Sequence, residues 1–394
     1  MRRKALALAL GCSMVLALSA CSSNSGGKES PAAASKEETL KETKAEETAA
    51  ETEAKAETEA ETEAQKEADQ ELPVILVGSN PGTGNIFGYI AMDKGFDKEE
   101  GYTTELVPFD NSTDALNALQ AKKIDVGVNF GTAAPLTFVT KGADFTIFGG
   151  YVSGGMPVYA KPEFEYTGLE SFVGKNVATA RAYTPDILWR GAMMEAGYDL
   201  EKDVTIMEFK KPAEALAAVK SGQADVGVGT NSTYLGAMES GMKVLCWTND
   251  LDPTAVCCRQ VARTEWINEN PDLAVAYLKS LIRAEEVFYG DQDYAVSVFA
   301  KYMELEENKA RTLLLETNQE LWLDPKSDGV QKMWQTLQDL NYADVGDIQV
   351  TDHINIDLYK QALDELIQEH PDSEYFSKTL MERYEEYNSK MLGK

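Results

Sequence analysis

Histidine and cysteine are both scarce in this chain of 394 residues, which has two histidines, His353 and His370, and five cysteines. The sequence has no Gly-x-Ser-x-Gly, Walker A, His-Glu-x-x-His or Cys-x-x-Cys pattern. The residue spacings behind many hydrolases, phosphate-binding loops and zinc sites are therefore missing. We expect no enzyme activity, no cofactor and no metal site, and we interpret both histidines as surface or capping residues.

Positive charge is also in short supply. The chain has 37 Lys and Arg against 65 Asp and Glu, for a net charge of −28. Because phosphate contacts need clustered basic side chains, this balance excludes nucleic acid as an expected partner. Away from the N-terminus the cysteines are Cys246, Cys257 and Cys258. An odd number with two adjacent members predicts no disulfide framework, so we expect small buried thiols.

The N-terminus resembles a lipoprotein signal. A basic start (residues 2–4) and an apolar stretch (5–18) precede Leu-Ser-Ala-Cys ending at Cys21. The stretch is too short to span a bilayer. We interpret 1–21 as a signal peptide whose Cys21 carries the lipid, including palmitate, and 22–72 as a disordered acidic linker. The expected location is extracytoplasmic, anchored to the cell membrane.

Two segments repeat at a spacing of 100 residues. The first opens at Ala115 and the second at Ala215, and each continues into Asp-Val-Gly-Val, at 125–128 and 225–228. Each copy reads as a helix, a short buried strand and a further helix, preceded by two more strands around a helix. A duplicated α/β unit explains this pattern, with two mostly parallel sheets flanked by helices.

The second unit is inserted into the first. After residue 250 the chain gives one extended run, 255–263, and then only helical patterns. We predict lobe I from 73–157 and 256–394, with its C-terminal helices, and lobe II from 158–255. Strands near 151–161 and 257–264 are expected to cross between the lobes and form a hinge, where Arg259 is a candidate for a salt bridge.

Several segments in order resemble one family. They are Gly-Thr-Gly-Asn-Ile-Phe-Gly-Tyr-Ile-Ala ending at Ala91, the paired Asp-Val-Gly-Val, Gly-Lys-Asn-Val-Ala starting at Gly174, and the stretch from Val261 to Leu273. Together they resemble the ABC-importer solute-binding proteins of the nitrate, sulfonate and taurine type, a group shared with binders of thiamine-pyrimidine precursors. The resemblance implies a two-lobed type II periplasmic-binding fold with a ligand cleft between the lobes.

The cleft residues follow from strand direction, because open α/β sheets bind ligands at the carboxyl ends of their strands. Threonine, serine and asparagine side chains there would hydrogen-bond a ligand, although helix capping competes as an interpretation. Aromatic side chains would sandwich an apolar body, or else pack in the core. Arg181 would pair with an anion, or else face solvent. The predicted ligand-binding residues are Asn80, Thr83, Asn85, Phe87, Phe130, Thr132, Tyr151, Ser153, Arg181, Tyr183, Thr184, Asn231 and Tyr234.

The glycines of Gly82-x-Gly84-x-x-x-Gly88 precede a helix, so we interpret them as half of a ligand cradle built from backbone N–H groups. The expected function is the solute-binding component of an ABC importer, a monomer that captures a small organic molecule and delivers it to a membrane permease. A heterocyclic, largely neutral ligand is slightly favoured over a sulfonate or nitrate. A sensory lipoprotein or, much less favoured, an extracytoplasmic enzyme are the alternatives.

Overall fold

The computed structural model describes residues 72–393. The predicted signal, Cys21 and all but the last residue of the predicted linker lie outside the described residues. Eleven strands are present in that part of the chain. They are β1 (Val74–Ser79), β2 (Thr103–Pro108), β3 (Val126–Val128), β4 (Phe145–Gly154), β5 (Pro157–Ala160), β6 (Asn176–Ala180), β7 (Thr205–Phe209), β8 (Val226–Val228), β9 (Lys243–Trp247), β10 (Cys258–Arg263) and β11 (Gln319–Leu321).

The α-helices cover the sheets and dominate the C-terminal third. In chain order they are α1 (Ile86–Lys94), α2 (Phe96–Glu99), α3 (Ser112–Gln120), α4 (Ala133–Val139), α5 (Thr184–Glu195), α6 (Pro212–Ser221), α7 (Asn231–Met238), α8 (Thr248–Leu251), α9 (Thr264–Glu269), α10 (Pro271–Gly290), α11 (Gln292–Met303), α12 (Glu307–Leu315), α13 (Ser327–Asp339), α14 (Asp357–Glu369) and α15 (Met381–Tyr387). A π-helical segment, Tyr375–Leu380, leads into α15, and short 3₁₀ turns cover Thr83–Asn85, Leu169–Phe172 and Val350–His353.

The strands form two sheets, which define the two lobes used below. Lobe I is built on a six-stranded sheet in the order β11-β4-β10-β3-β1-β2, and lobe II on a five-stranded sheet in the order β7-β6-β8-β5-β9. Pairing is parallel among β1, β2 and β3 and among β6, β7 and β8, and antiparallel elsewhere. The predicted α/β architecture is therefore confirmed, but the sheets are mixed, with parallel pairing limited to the duplicated cores.

The repeated aspartate explains why both cores fold alike. In lobe I the Asp125 carboxylate accepts the Leu76 amide at 2.9 Å, and in lobe II the Asp225 carboxylate accepts the Asn176 amide at 2.8 Å. Each aspartate amide donates in return to the carbonyl of the same partner. Because the bonds are reciprocal, each aspartate fixes the entry of one parallel strand against its neighbour. The motif is thus a structural hydrogen-bonding contact between neighbouring parallel strands, near their amino ends.

The connections between the lobes differ from the predicted ones in one respect. β4 lies in the lobe I sheet and β5 in the lobe II sheet, so the first crossing falls between Gly154 and Pro157. The predicted return crossing at 257–264 is wrong, because β10 pairs throughout with β3 and β4 of lobe I. The return passes instead through the segment between β9 and β10, where the Asn249 side chain accepts the Gly155 amide at 3.0 Å.

Lobe I receives a strand that the sequence did not predict. The helical pattern expected after residue 263 is interrupted by β11, whose three residues pair antiparallel with the end of β4. A segment this short has no readable periodicity, and its pairing depends on the free edge that β4 offers. The long helices behave as expected: α10 buries Ala274, Leu278 and Leu281 along one face against the lobe I core. Within residues 72–393, none of the helices has the length and apolar character needed to cross a membrane.

Candidate ligand-binding site

A cavity of about 1070 Å³ lies between the two lobes. Its lobe I wall includes Asn80 after β1, Phe109 after β2 and Phe130 after β3. Its lobe II wall includes Tyr183 after β6 and Asn231 after β8. These are the carboxyl ends of the parallel strands, which both lobes turn towards the same space. A molecule in this cavity would therefore touch both lobes.

Part of the predicted residue set lines this cavity, and the members come from both lobes. They are Asn80, Thr83, Phe130, Arg181, Tyr183, Thr184 and Asn231. The lobes also meet at the base of the cavity, where the Thr132 amide donates to the Thr184 hydroxyl at 3.3 Å. The Tyr183 ring is half-buried beside this contact, and burial raises the pKa of its phenol. These residues remain predicted ligand contacts, and they lie at or beside the same cavity.

Three of the other predicted residues lie in the core of lobe I and do not line the cavity. The Phe87 ring packs 6.3 Å from Tyr151 and 5.8 Å from Phe288. The Tyr151 hydroxyl lies 3.2 Å from that of Tyr277, and burial raises the pKa of Tyr151 well above its ordinary value. The Asn85 amide donates to Ser79 and, at 3.1 Å, to Tyr89. The rings of Phe87 and Tyr151 therefore pack in the core, which was the alternative interpretation of the aromatic residues.

The remaining predicted residues support the walls from behind. The Thr132 hydroxyl donates to the Cys257 carbonyl at 2.6 Å, and Ser153 accepts a bond of 2.9 Å from Arg259. The Tyr234 ring packs 5.6 Å from Trp247, away from the cavity lining. These contacts orient neighbouring backbone and side chains. None of the three side chains lines the cavity.

Arg259 does not make the hinge salt bridge for which it was a candidate. Its guanidinium is fully buried and donates to the carbonyls of Asp324 at 2.9 Å and Val152 at 2.7 Å. Desolvation lowers the pKa of Arg259 to about 10. The side chain therefore ties the end of β4 to the loop before α13 through backbone carbonyls.

Two asparagine residues of the cavity lining each carry a buried side-chain atom that has no hydrogen-bond partner in the described chain. The Asn80 amide nitrogen donates to Ser112 at 3.1 Å, while its Oδ1 is buried without a hydrogen-bond partner in the described chain. The Nδ2 of Asn231 is likewise buried without a partner there. Unpaired buried polar atoms cost roughly 1–3 kcal/mol each. Asn80 on the lobe I side and Asn231 on the lobe II side therefore each keep unused hydrogen-bonding capacity beside the cavity.

The charged residues of the cavity lining lie at its mouth. In the described chain these are Asp110, Lys141 and Arg181, and all three are exposed. The Arg181 guanidinium is also engaged, because it pairs with Glu208 and stacks 4.5 Å above the Tyr342 ring. The positive charge of Arg181 is therefore already balanced by Glu208. The inner walls hold aromatic rings, aliphatic side chains and amides.

The glycine motif, whose Gly82 lines the cavity, also makes room for a neighbouring side chain. Asn129, which follows β3 with φ 61°, donates its Nδ2 to the Asn80 carbonyl at 2.6 Å. A Cβ on Gly82 would lie 2.8 Å from that Nδ2, and one on Gly84 would lie 2.7 Å from the Asn129 Oδ1. The two glycines make room for the Asn129 side chain, which holds the loop carrying Asn80 and Thr83. Asparagine tolerates this backbone conformation better than most residues.

Sequence reasoning also missed part of the wall that comes from the C-terminal helices. Phe299 and Met303 of α11 and Leu313 of α12 line the cavity beside Phe109 and Phe138. Helical periodicity marks these residues as apolar but cannot show that they face a cavity. Their position depends on how α11 packs on α1 and how α12 packs on α11 and α7, which is a tertiary property.

Residues 83–295 match the family model described as NMT1/THI5 like. The chain belongs to the NMT1/THI5-like family. The periplasmic aliphatic sulphonate-binding protein SsuA of Escherichia coli has 18% sequence identity and a TM-score of 0.61, and the match covers 73% of this chain and 99% of that one. The periplasmic nitrate-binding protein NrtA of Synechocystis PCC 6803 has 16% identity and a TM-score of 0.60, with coverages of 75% and 89%.

A protein from Candida albicans, described as having the generic periplasmic binding protein fold, has 12% identity and a TM-score of 0.53, with coverages of 72% and 96%. The search of curated proteins found no match. At these identities the solved structures establish the fold alone. The resemblance stated from the sequence is confirmed, and so is the two-lobed periplasmic-binding fold.

Proposed function

We propose that this protein is the solute-binding component of an ABC importer, anchored by lipid on Cys21, and that it captures a small uncharged organic molecule between its lobes. The cavity carries the proposal, because its walls come from the strand ends of both lobes. Ligand pockets typically occupy about 300–1,000 Å³. A solute that touches both walls favours the closed arrangement of the lobes, which a membrane permease can then distinguish from the empty one.

The uncharged solute follows from the distribution of polar groups. Asn80 and Asn231 line the cavity and keep unused hydrogen-bonding capacity, and Phe109 and Phe130 provide apolar surface beside them. A sulfonate or nitrate held inside would need cationic or multiple N–H donors, yet Arg181 is paired with Glu208 at the mouth. A heterocycle with a hydrogen-bond donor and an acceptor on its edge fits this pattern, and its ring fits the apolar surface.

Native mass spectrometry of residues 73–394 tests the proposal. We expect the protein as purified, or after incubation with pyrimidines, to carry one small molecule that is released unchanged on denaturation. Flavins, amino acids, alkanesulfonates and nitrate are the comparison compounds. Release of a chemically altered product would contradict the role in transport and favour an enzyme. Tight retention of a sulfonate alone would contradict the uncharged solute but leave the importer role intact.

The anchor is tested separately by Cys21→Ser. We expect this variant, produced in a bacterial host that processes lipoproteins, to leave the membrane fraction and to lose the lipid mass from its N-terminus. The matched control is Cys12→Ser, since Cys12 lies within the predicted signal and would be removed with it. If Cys21→Ser remains in the membrane fraction with unchanged mass, lipid attachment at this cysteine is wrong.

A further inference from the structure

Two adjacent thiols form part of the cavity wall. Cys257 and Cys258 both line the cavity, and neither is in a disulfide. Their sulfur atoms lie 3.4 Å apart, in van der Waals contact. All three free cysteines of the described chain are buried, and the third, Cys246, packs in lobe II and does not line the cavity. The pair is therefore the one place in residues 72–393 where thiols meet both each other and the solute space.

The surroundings of the pair separate the two sulfurs chemically. The two thiols share a hydrogen bond in which either sulfur can donate. This contact lowers the pKa of Cys258 and raises that of Cys257. The Gly131 amide, which donates to Cys258, and the positive charge of Arg259 also lower the Cys258 pKa. By contrast, burial raises the pKa of Cys246 to about 11. The lowered pKa favours the thiolate at Cys258 over Cys257, and the thiolate is the nucleophilic form of cysteine.

The backbone around the pair connects it to the walls of the cavity. The Cys257 amide donates to the Val152 carbonyl at 3.0 Å, and its carbonyl accepts the Thr132 hydroxyl. The pairing of β10 with β4 shifts register between Cys258 and Arg259. This irregularity interrupts regular strand pairing at the position where the two thiols lie side by side. A chemical change at the pair is therefore transmitted to Val152 and Thr132, on the lobe I side of the hinge.

We propose that Cys257 and Cys258 form a thiol–disulfide exchange site in the wall of the solute cavity, with Cys258 as the attacking thiolate and Cys257 as the resolving thiol. The co-reactant is a small external disulfide, RSSR. The Cys258 thiolate attacks one sulfur of RSSR, which forms a mixed disulfide and releases RS⁻. Cys257, after losing its proton to solvent or to RS⁻, attacks the Cys258 sulfur and releases the second RS⁻. Two electrons pass from the cysteine pair to RSSR, which is reduced to two thiols.

The cavity provides the access that this chemistry requires. Its lining includes exposed residues such as Asp110 and Lys141, so the cavity that the two buried thiols line reaches the solvent-exposed surface. Closing the bond must bring the sulfurs from 3.4 Å to about 2.05 Å, the length of a disulfide. The wall then changes shape where Thr132 and Val152 hold it. We expect oxidation to weaken solute binding. This effect rests on the proposed function, whereas the thiol–disulfide exchange does not depend on it.

An aryl disulfide that releases a coloured arylthiolate tests the exchange directly. The protein is the full chain with Cys12 and Cys21 replaced by serine, so that its thiols are Cys246, Cys257 and Cys258. We expect the folded protein to release two arylthiolates for each chain, to retain no aryl group and to lose two hydrogens in mass. Peptide mapping should place the new disulfide between residues 257 and 258, a readout that needs no cysteine variant in the cavity.

Three substitutions assign the roles. Cys257→Ser should release one arylthiolate and keep the aryl group on Cys258, because the resolving thiol is gone. Cys258→Ser should react at least tenfold more slowly, and Cys246→Ser should behave as the unsubstituted protein. The proposal is wrong if the unsubstituted chain keeps a stable mixed disulfide, if Cys246 is the thiol that reacts, or if the thiols react only after denaturation. Each of these outcomes is independent of whether a solute has been found.

Discussion

The two duplicated cores place polar side chains at corresponding positions but with different chemistry. In lobe I, Asn85 follows the first strand and donates to Ser79 and, one helical turn later, to the Tyr89 hydroxyl at 3.1 Å. All three groups are neutral and buried. The cluster joins β1 to α1 by hydrogen bonds alone.

In lobe II the corresponding cluster is ionic. The buried Asp186 accepts the Thr179 hydroxyl at 3.0 Å and the Arg190 Nε at 2.7 Å. Arg190 also reaches Glu208 of β7 at 2.8 Å, and the Tyr342 hydroxyl donates to Asp186 at 3.2 Å. Because Tyr342 belongs to the C-terminal segment that follows α13, this cluster extends beyond lobe II. The duplication thus conserves the geometry of strand, turn and helix while the charge state changes.

The two lobes also contribute different residues to the cavity. Lobe I contributes the rings of Phe109 and Phe130 together with polar side chains such as Asn80, whereas lobe II contributes Thr184, Asn231 and Tyr183. A duplicated scaffold can therefore give two walls of different composition that face each other. The comparison indicates that the fold depends on the shared strand pattern, whereas selectivity depends on the residues immediately after each strand.

The largest expected effect comes from breaking the ionic cluster. Arg190→Met leaves the Asp186 carboxylate buried without its cation, and breaking such a pair typically costs about 3–5 kcal/mol. We expect a loss of that order in the free energy of unfolding, measured by urea denaturation of residues 73–394. A loss below about 1 kcal/mol, a value typical of an exposed pair, would show that Asp186 does not depend on Arg190.

A second buried carboxylate, that of Asp324, extends the comparison, because it pairs with no cation in residues 72–393. Asp324 of lobe I accepts bonds from Asn388 at 3.1 Å and from the Lys326 amide at 2.7 Å, and no ion pair involves it in residues 72–393. Desolvation by burial raises its pKa to about 6. In the unfolded chain the pKa of aspartate is about 3.9.

The raised pKa of Asp324 predicts a pH dependence with a definite sign. The folded state holds the proton more tightly, so the stabilisation is complete below about pH 3.9 and is lost as the pH rises through about 6. Two units correspond to about 3 kcal/mol. The free energy of unfolding of Asp324→Asn, taken relative to that of the unsubstituted protein, should therefore increase by about this amount as the pH rises from about 4 to about 7. The exposed control Asp347→Asn should show no such gain, and equal behaviour of the two variants would contradict the account.

The smallest expected effect belongs to the neutral cluster. Tyr89→Phe removes one hydrogen bond from Asn85, whose amide still donates to Ser79. A hydrogen bond of this kind contributes about 0.5–1.5 kcal/mol. The free energy of unfolding should fall by about 1 kcal/mol, several times less than for Arg190→Met. If the two losses are similar, the charge difference between the lobes has no energetic meaning.

The architecture could be predicted because its determinants are local and repeated. The Asp-Val-Gly-Val copies place Asp125 and Asp225 at equivalent strand entries, and their reciprocal bonds to Leu76 and Asn176 are the physical reason for the repeat. By contrast, β11 is too short to carry a pattern. It exists because the end of β4 presents an unpaired edge, which no local sequence signal announces.

The site residues could be predicted only where the direction of a strand determines that they reach the cavity. Asn80, Tyr183 and Asn231 follow strand ends and reach the cavity, as the rule for parallel sheets implies. Phe87 is one position into a helix and turns into the core instead. Leu313 lies far along the chain and reaches the cavity through helix packing that the sequence does not display.

The most direct test of an uncharged solute between the lobes is a thermal-shift comparison of matched compounds on residues 73–394. Uncharged heterocycles and alkanesulfonates of similar size are each tested on the unsubstituted protein, on Asn231→Asp and on the exposed control Asn308→Asp. At a hundredfold excess over Kd, a ligand adds about 2.7 kcal/mol of stability. We predict that a heterocycle raises the Tm of the unsubstituted protein and of Asn308→Asp by several degrees, and that Asn231→Asp loses most of this rise. A rise with sulfonates alone, or one that Asn231→Asp leaves unchanged, would contradict the account.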